Sequence, residues 1–183
     1  MRTFINGLVL AGLAVMTVGC ALDRGTTPGT PSGAHADRAG DTKACVMQSG
    51  DHAVLRLTVS ADATCTPKDG SLHLESHARD AVDVWLAPGA NSVDAAAGRV
   101  GQAITSEFKD FKATSTTALT IAGAPAKRLM GSGTEADDND PGHADVIMFT
   151  AGGRVFVACT HGESLSAAAQ QWMLAVVQTA QAP

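Results

Sequence analysis

Two adjacent glycines, Gly152 and Gly153, stand between two strongly apolar runs. The first run holds Val146, Ile147 and Phe149; the second holds Val155, Phe156 and Val157. A glycine pair in this setting signals a primed two-residue turn, whose positive-φ positions glycine adopts without strain. Residues 145–150 and 154–160 are therefore expected to form an antiparallel hairpin, and the rest of the fold has to be compatible with a sheet built around it.

The preceding segments also read as strands. Residues 45–48 and 53–60 flank the turn Ser49-Gly50-Asp51, and Val54, Arg56 and Thr58 alternate with Leu55, Leu57 and Val59 at a period of two. Residues 61–69 read as a polar loop containing Cys65 and Pro67. In residues 71–78, Leu72 and Leu74 take one face and His73, Glu75 and His77 the other. Val82, Val84 and Leu86 alternate with Asp83 and Trp85 until Pro88-Gly89 ends that strand. Residues 112–121 and 126–133 predict two further strands on either side of Gly123-Ala124-Pro125, followed by an acidic loop over 134–142.

Two segments carry a helical period. In residues 92–111, Val93, Ala97, Val100, Ile104, Phe108 and Phe111 fall on one stripe, with Asn91 or Ser92 as N-cap and Gly98 and Gly101 inside. In residues 164–179, Leu165, Ala169, Trp172 and Val176 do the same, capped by Ser164 or Ser166. The order strands, helix, strands, helix predicts an α+β domain: an antiparallel sheet with two main helices.

The chain of 183 residues is expected to hold one such domain, over 44–181. Hydrophobic residues at 45% against 17% charged argue against a disordered protein. The first 19 residues read as an export signal: Arg2, then an uncharged apolar stretch over 8–18, too short for a comfortable membrane span. Val18-Gly19-Cys20 closes it and resembles a bacterial lipobox. By that resemblance Cys20 is diacylated on sulfur with chains such as palmitate, becomes the first residue of the mature chain, and is acylated on nitrogen. Each buried CH₂ of such an anchor contributes roughly 0.8 kcal/mol. By the same resemblance, Ala21, where an Asp in Gram-negative lipoproteins favours the inner membrane, implies the periplasmic face of the outer membrane. Residues 20–43, rich in Gly, Thr, Pro, Ser and Ala, read as a flexible tether. Removing residues 1–19 takes away one basic residue, Arg2, and leaves 12 basic against 18 acidic residues, a formal charge of −6. An acidic chain with 4% aromatics and no Tyr is not expected to bind nucleic acid.

The strand over 112–121, the turn Gly123-Ala124-Pro125-Ala126, a strand ending Gly131-Ser132-Gly133, the hairpin and the final amphipathic helix together resemble the PsbP-like fold, an α/β/α sandwich. That family includes an extrinsic photosystem protein, a nuclear-import factor and small bacterial lipoproteins related to DcrB. The resemblance implies binding or assembly of other proteins rather than one shared activity.

No catalytic constellation is expected. Gly131-Ser132-Gly133 is too short for a nucleophile elbow, and no phosphate-binding glycine loop occurs. No cofactor or resident metal is expected either. The nearest approaches to a ligand set are His73 and His77, four residues apart on one strand face and too distant to share an ion, and Asp137, Asp138 and Asp140. The acidic loop fails the EF-hand pattern at Pro141 and Met148. Cys159 and His161 should share a strand face, with Cys159 half-buried in a cystine.

With Cys20 lipidated, one disulfide is expected among Cys45, Cys65 and Cys159. Cys45–Cys65 would close a local loop. Cys65–Cys159 is preferred, because Cys65 lies in a loop free to reach and the longer closure constrains the unfolded chain by roughly 4 kcal/mol or more. The function expected is that of a non-enzymatic envelope lipoprotein, held to the membrane by its lipid, that binds or supports another envelope protein. The alternative is a periplasmic small-ligand or metal-binding module; a hydrolase comes last.

Overall fold

The computed structural model describes residues 40–87, 89–104, 107–137 and 139–183. The signal, Cys20 and most of the tether lie outside these residues, as does Asp138. No helix among the described residues is long and apolar enough to cross a membrane.

The described chain is mostly antiparallel β-sheet. In order it forms β1 (Thr42–Ser49), β2 (His52–Ser60), β3 (Thr64–Lys68), β4 (Ser71–Glu75), β5 (Ala81–Leu86), α1 (Val93–Ala97), α2 (Val100–Ala103), β6 (Lys112–Ile121), β7 (Ala124–Thr134), β8 (Pro141–Ala151), β9 (Arg154–Gly162) and α3 (Ala167–Gln178). Strands β1 and β2 pair with each other; the remaining seven form one sheet in the order β3-β4-β5-β9-β8-β7-β6.

The glycine-pair hairpin is at its centre. Gly152 and Gly153 have φ of 56° and 73°, as a primed turn requires, and β8 and β9 pair from Ala151↔Arg154 to His143↔Gly162. Both strands are buried along most of their length because both faces of the sheet are covered. One face packs against α3 and the β1–β2 hairpin: Ile147, Phe149 and Phe156 join Met173, Val176 and Val177 of α3 and Leu55 and Leu57 of β2. Each such side chain contributes roughly 1.5–3 kcal/mol when fully buried. The other face packs Val146, Met148, Val157 and Cys159 against Ala96, Ile104, Phe108 and Phe111.

Among the described residues only α3 is a helix of seven residues or more, so the expected second main helix over 92–111 is corrected. Ser92 does cap it, accepting from the Ala95 N–H at 3.1 Å, but Gly98 ends α1 after five residues and Arg99 leaves helical geometry with ψ 26°. Glycine at 98 and 101 lowers the propensity of the whole segment by about 1 kcal/mol each. The apolar stripe still finds the core: Ala96, Ile104, Phe108 and Phe111 are buried through turns instead of a continuous helix. The seven-stranded sheet thus carries α3 and the β1–β2 hairpin on one face and the short α1 and α2 with their connecting turns on the other.

Two further corrections concern the N-terminal strands. Cys65 lies in β3, not in a loop; Pro67 is accommodated because β3 is at the sheet's edge. The strand expected over 71–78 stops at Glu75, where Ser76 N–H donates to Asp80 and Arg79 takes a φ of 67°.

The disulfide is Cys45–Cys65, with Cα atoms 6.1 Å apart, and Cys159 is a buried free thiol. The preferred Cys65–Cys159 pairing fails on register. Cys65 pairs opposite Leu74, on the α3 side of the sheet, whereas Cys159 pairs opposite Asp83 on the other side. β3 is also three strand positions from β9, about 14 Å at the usual spacing, twice the reach of a disulfide. The expectation of a half-buried cystine at Cys159 is corrected by the same facts.

Candidate functional site

On the face away from α3, cross-strand register gathers polar groups that are scattered in the chain. His73 of β4 pairs opposite Asp83 of β5, and Asp83 pairs opposite Cys159 of β9, so these three share a face with His161 two residues on. His73 Nδ1 lies 2.8 Å from Asp83 Oδ1. Over this face the chain at 107–110 runs beside the start of the turn that follows β7. Phe108 bridges Glu135, Ala136 N–H donates to Glu107 O at 2.9 Å, and Lys109 N–H donates to Thr134 O at 2.9 Å. Asp110 closes the crossing by accepting from the Thr134 N–H, which holds its carboxyl below the usual range.

That crossing delivers Glu107 and Glu135 to His161. Glu107 Oε2 is 3.1 Å from His161 Nε2, and Glu135 Oε1 is 3.8 Å from His161 Nδ1. Ligand atoms of Asp83, Glu107 and His161 all lie within 4.8 Å of one another. Phe108 is buried and presents its ring edge-on to the imidazole, with centroids 5.7 Å apart at 79°. Glycine at 142 makes room for Glu135: a Cβ there would come within 2.3 Å of Oε1. The Glu107 hydrogen bond raises the His161 pKa above its ordinary value, against the opposing effect of burial. Beneath the cluster, burial pushes the Cys159 thiol well up, with Glu107, Asp83 and Asp145 adding to it, so this thiol is not an activated nucleophile.

The sequence-derived candidates separate. Of the polar face His73, Glu75, His77, only His73 joins the cluster; His77 lies beyond β4 in an exposed turn. Asp137 and Asp140 are exposed in the turn before β8 and are not part of the cluster. Cys159 and His161 do share a face. Asp83, Glu107 and Glu135 lie far apart in the chain, and their convergence depends on strand register and on the crossing at 107–110. The one local signal was Asp83, a charge between Val82 and Val84 in an apolar strand.

A second feature is the outer edge of the sheet. β6 is ten residues long, pairs only with β7 among the described residues, and is exposed from Lys112 to Ala118. Beside it lie two grooves. One, of about 410 Å³, runs between α1 and Ala118, Leu119, Pro125 and Lys127. The other, of about 430 Å³, is lined by Thr114, Met130, Ser132, His143, Glu163 and Gln170. Ser132 and His143 face each other across β7 and β8 there, but no hydrogen bond joins them among the described residues.

No family model matches the chain, and no curated protein matches it. Among solved structures it is similar to LpqN, described as involved in cell envelope biogenesis of Mycobacterium tuberculosis. That match has a TM-score of 0.38 and 16% identity, and covers 80% of this chain and 94% of that chain.

Proposed function

We propose that this chain is a lipid-anchored, non-enzymatic protein of the cell envelope whose domain docks an extended segment of another envelope protein along β6. The observation that carries the reading is the open edge of that strand. Unpaired edges present a row of backbone donors and acceptors, and proteins usually blunt them with charges, prolines or short length. β6 has a bulge between Ala113 and Ser115, but from Ser115 to Ile121 it has no charge and no proline. Adding a strand there would satisfy the backbone, and the flanking grooves would take alternate side chains of the incoming segment. The envelope reading rests on Val18-Gly19-Cys20 and on the Cys45–Cys65 disulfide, which belongs in an oxidising compartment. The order of elements, with α1 and α2 between two runs of strands and α3 last, supports a PsbP-like domain.

Photo-crosslinking residues placed singly at Thr116, Ala118 and Thr120 in intact envelopes test this. The expected result is adducts to one protein whose attachment points advance along a single segment in step with the β6 position, absent when the probe is at Asp51. Attachment points scattered without register, equal capture from Asp51, or adducts only to residues 1–39 of the same chain would overturn the reading.

A further inference from the structure

We infer that Asp83, Glu107 and His161 form a binding site for a divalent transition-metal ion of the zinc class. The three ligand atoms already converge within 4.8 Å from three separate parts of the chain. One imidazole with two carboxylates is a donor set suited to Zn²⁺ or Mn²⁺; Ca²⁺ would ask for six to eight oxygens. Three protein ligands leave a position open for water or for a group from a partner.

The surroundings are built as those of metal ligands are. Ligating carboxylates and imidazoles are oriented by further hydrogen bonds. Asp83 is held from behind by His73 at 2.8 Å. The His161 ring is held against Phe108. The independent observation is Glu135. Its side chain is 12% exposed, and its Oε1 is sealed from solvent with no hydrogen-bond partner. An orphaned carboxylate oxygen is costly and calls for a reason. An ion on His161 Nε2, the nitrogen facing Glu107, fixes the proton on Nδ1, the nitrogen facing Glu135 Oε1. Glu135 is then the acceptor that orients the liganded imidazole. Charge points the same way, since Asp83, Glu107 and Glu135 bring three carboxylates around His161, with His73 as the other nearby imidazole. The site is distinct from the β6 edge and stands or falls separately from it.

The test is Zn²⁺ titration of the full, tag-free chain after metal stripping, followed by calorimetry and by the visible spectrum of the Co²⁺-substituted protein. One saturable Zn²⁺ per chain is expected. Glu107→Gln and His161→Gln should weaken it by at least about 10-fold, and Glu135→Gln by roughly 10- to 100-fold. Asp137→Asn, in the acidic turn, should leave it unchanged. Should one ligand variant fail to fold by circular dichroism, Asp83→Asn takes its place, and a change in the Co²⁺ absorption bands of Glu135→Gln provides a readout that keeps all ligands. No saturable binding up to about 1 mM, a dissociation constant worth only about 4 kcal/mol, would overturn the site. So would Zn²⁺ affinity unaltered in His161→Gln, or weakened by Asp137→Asn instead.

Discussion

Asp145 has no exposed surface, and Arg128 is the reason it can sit there. The guanidinium donates Nε–H to Oδ1 at 2.8 Å and to Oδ2 at 3.0 Å, bonds Oδ2 again through Nη2, and reaches Gln170 of α3 at 2.9 Å. The Asp145 hydrogen bonds raise the Arg128 pKa further above its ordinary value. A buried pair of this kind adds little net stability over an apolar substitute, but removing one partner strands a charge. Arg128→Met should therefore cost roughly 3–5 kcal/mol, and Arg128→Met with Asp145→Leu should recover most of it. Urea denaturation of the two variants checks this. A double variant as unstable as the single one would mean that the pair itself, through its link to α3, carries the stability.

Elements formed of local pattern were legible in the sequence; elements formed by crossings were not. The hairpin around Gly152-Gly153, the strands at β5 and β7 and the helix α3 follow from alternation, turn residues and a capping serine, which act over a few residues. Ser166, one of two candidates, is the cap, accepting from the Ala169 N–H at 2.9 Å. The segment between β5 and β6 misleads because its apolar residues fit a helical stripe, while Gly98 ends α1 after five residues and α2, with Gly101 inside it, runs for only four. The metal-ligand cluster was illegible for a related reason: nothing in the chain tells that residue 107 will lie beside residue 135. Gly131 and Gly133 mark where another segment comes close to β7, but not which segment. A Cβ at Gly131 would come within 2.2 Å of Lys112 O and 2.7 Å of the Phe111 ring, so this glycine is where the chain entering β6 touches β7. Gly98, by contrast, has a φ of −64° and only ordinary contacts at 3.5 Å or more. Gly98→Ala should stabilise by about 0.4–1 kcal/mol through the unfolded chain. Gly131→Ala should destabilise by roughly 1–3 kcal/mol or more through overpacking. Thermal melts of both variants settle the contrast; equal effects would contradict the role given to Gly131.

For the molecule as a whole, the sheet divides the labour of the domain. Its α3 face is sealed by apolar packing and pinned by Arg128–Asp145, its opposite face carries the His161 cluster, and β6 is the longer of the two edges of the seven-stranded sheet among the described residues. β3, the opposite edge, is short, contains Pro67 and is tied to β1 by Cys45–Cys65, so strand addition there is blocked by the chain's own covalent structure. The charge of −6 expected after export further favours a protein partner over anionic lipid headgroups or nucleic acid. The claim that β6 is paired by another protein where the chain works is tested most directly by amide hydrogen exchange, read peptide by peptide, in native envelopes and in the purified full chain. In the purified chain the β6 amides that β7 does not engage should exchange as exposed amides do. In envelopes they should be slowed by at least about 10-fold, equivalent to about 1.4 kcal/mol of protection, while the β1–β2 turn at Gly50 stays unchanged. Identical β6 exchange in both settings would contradict the account.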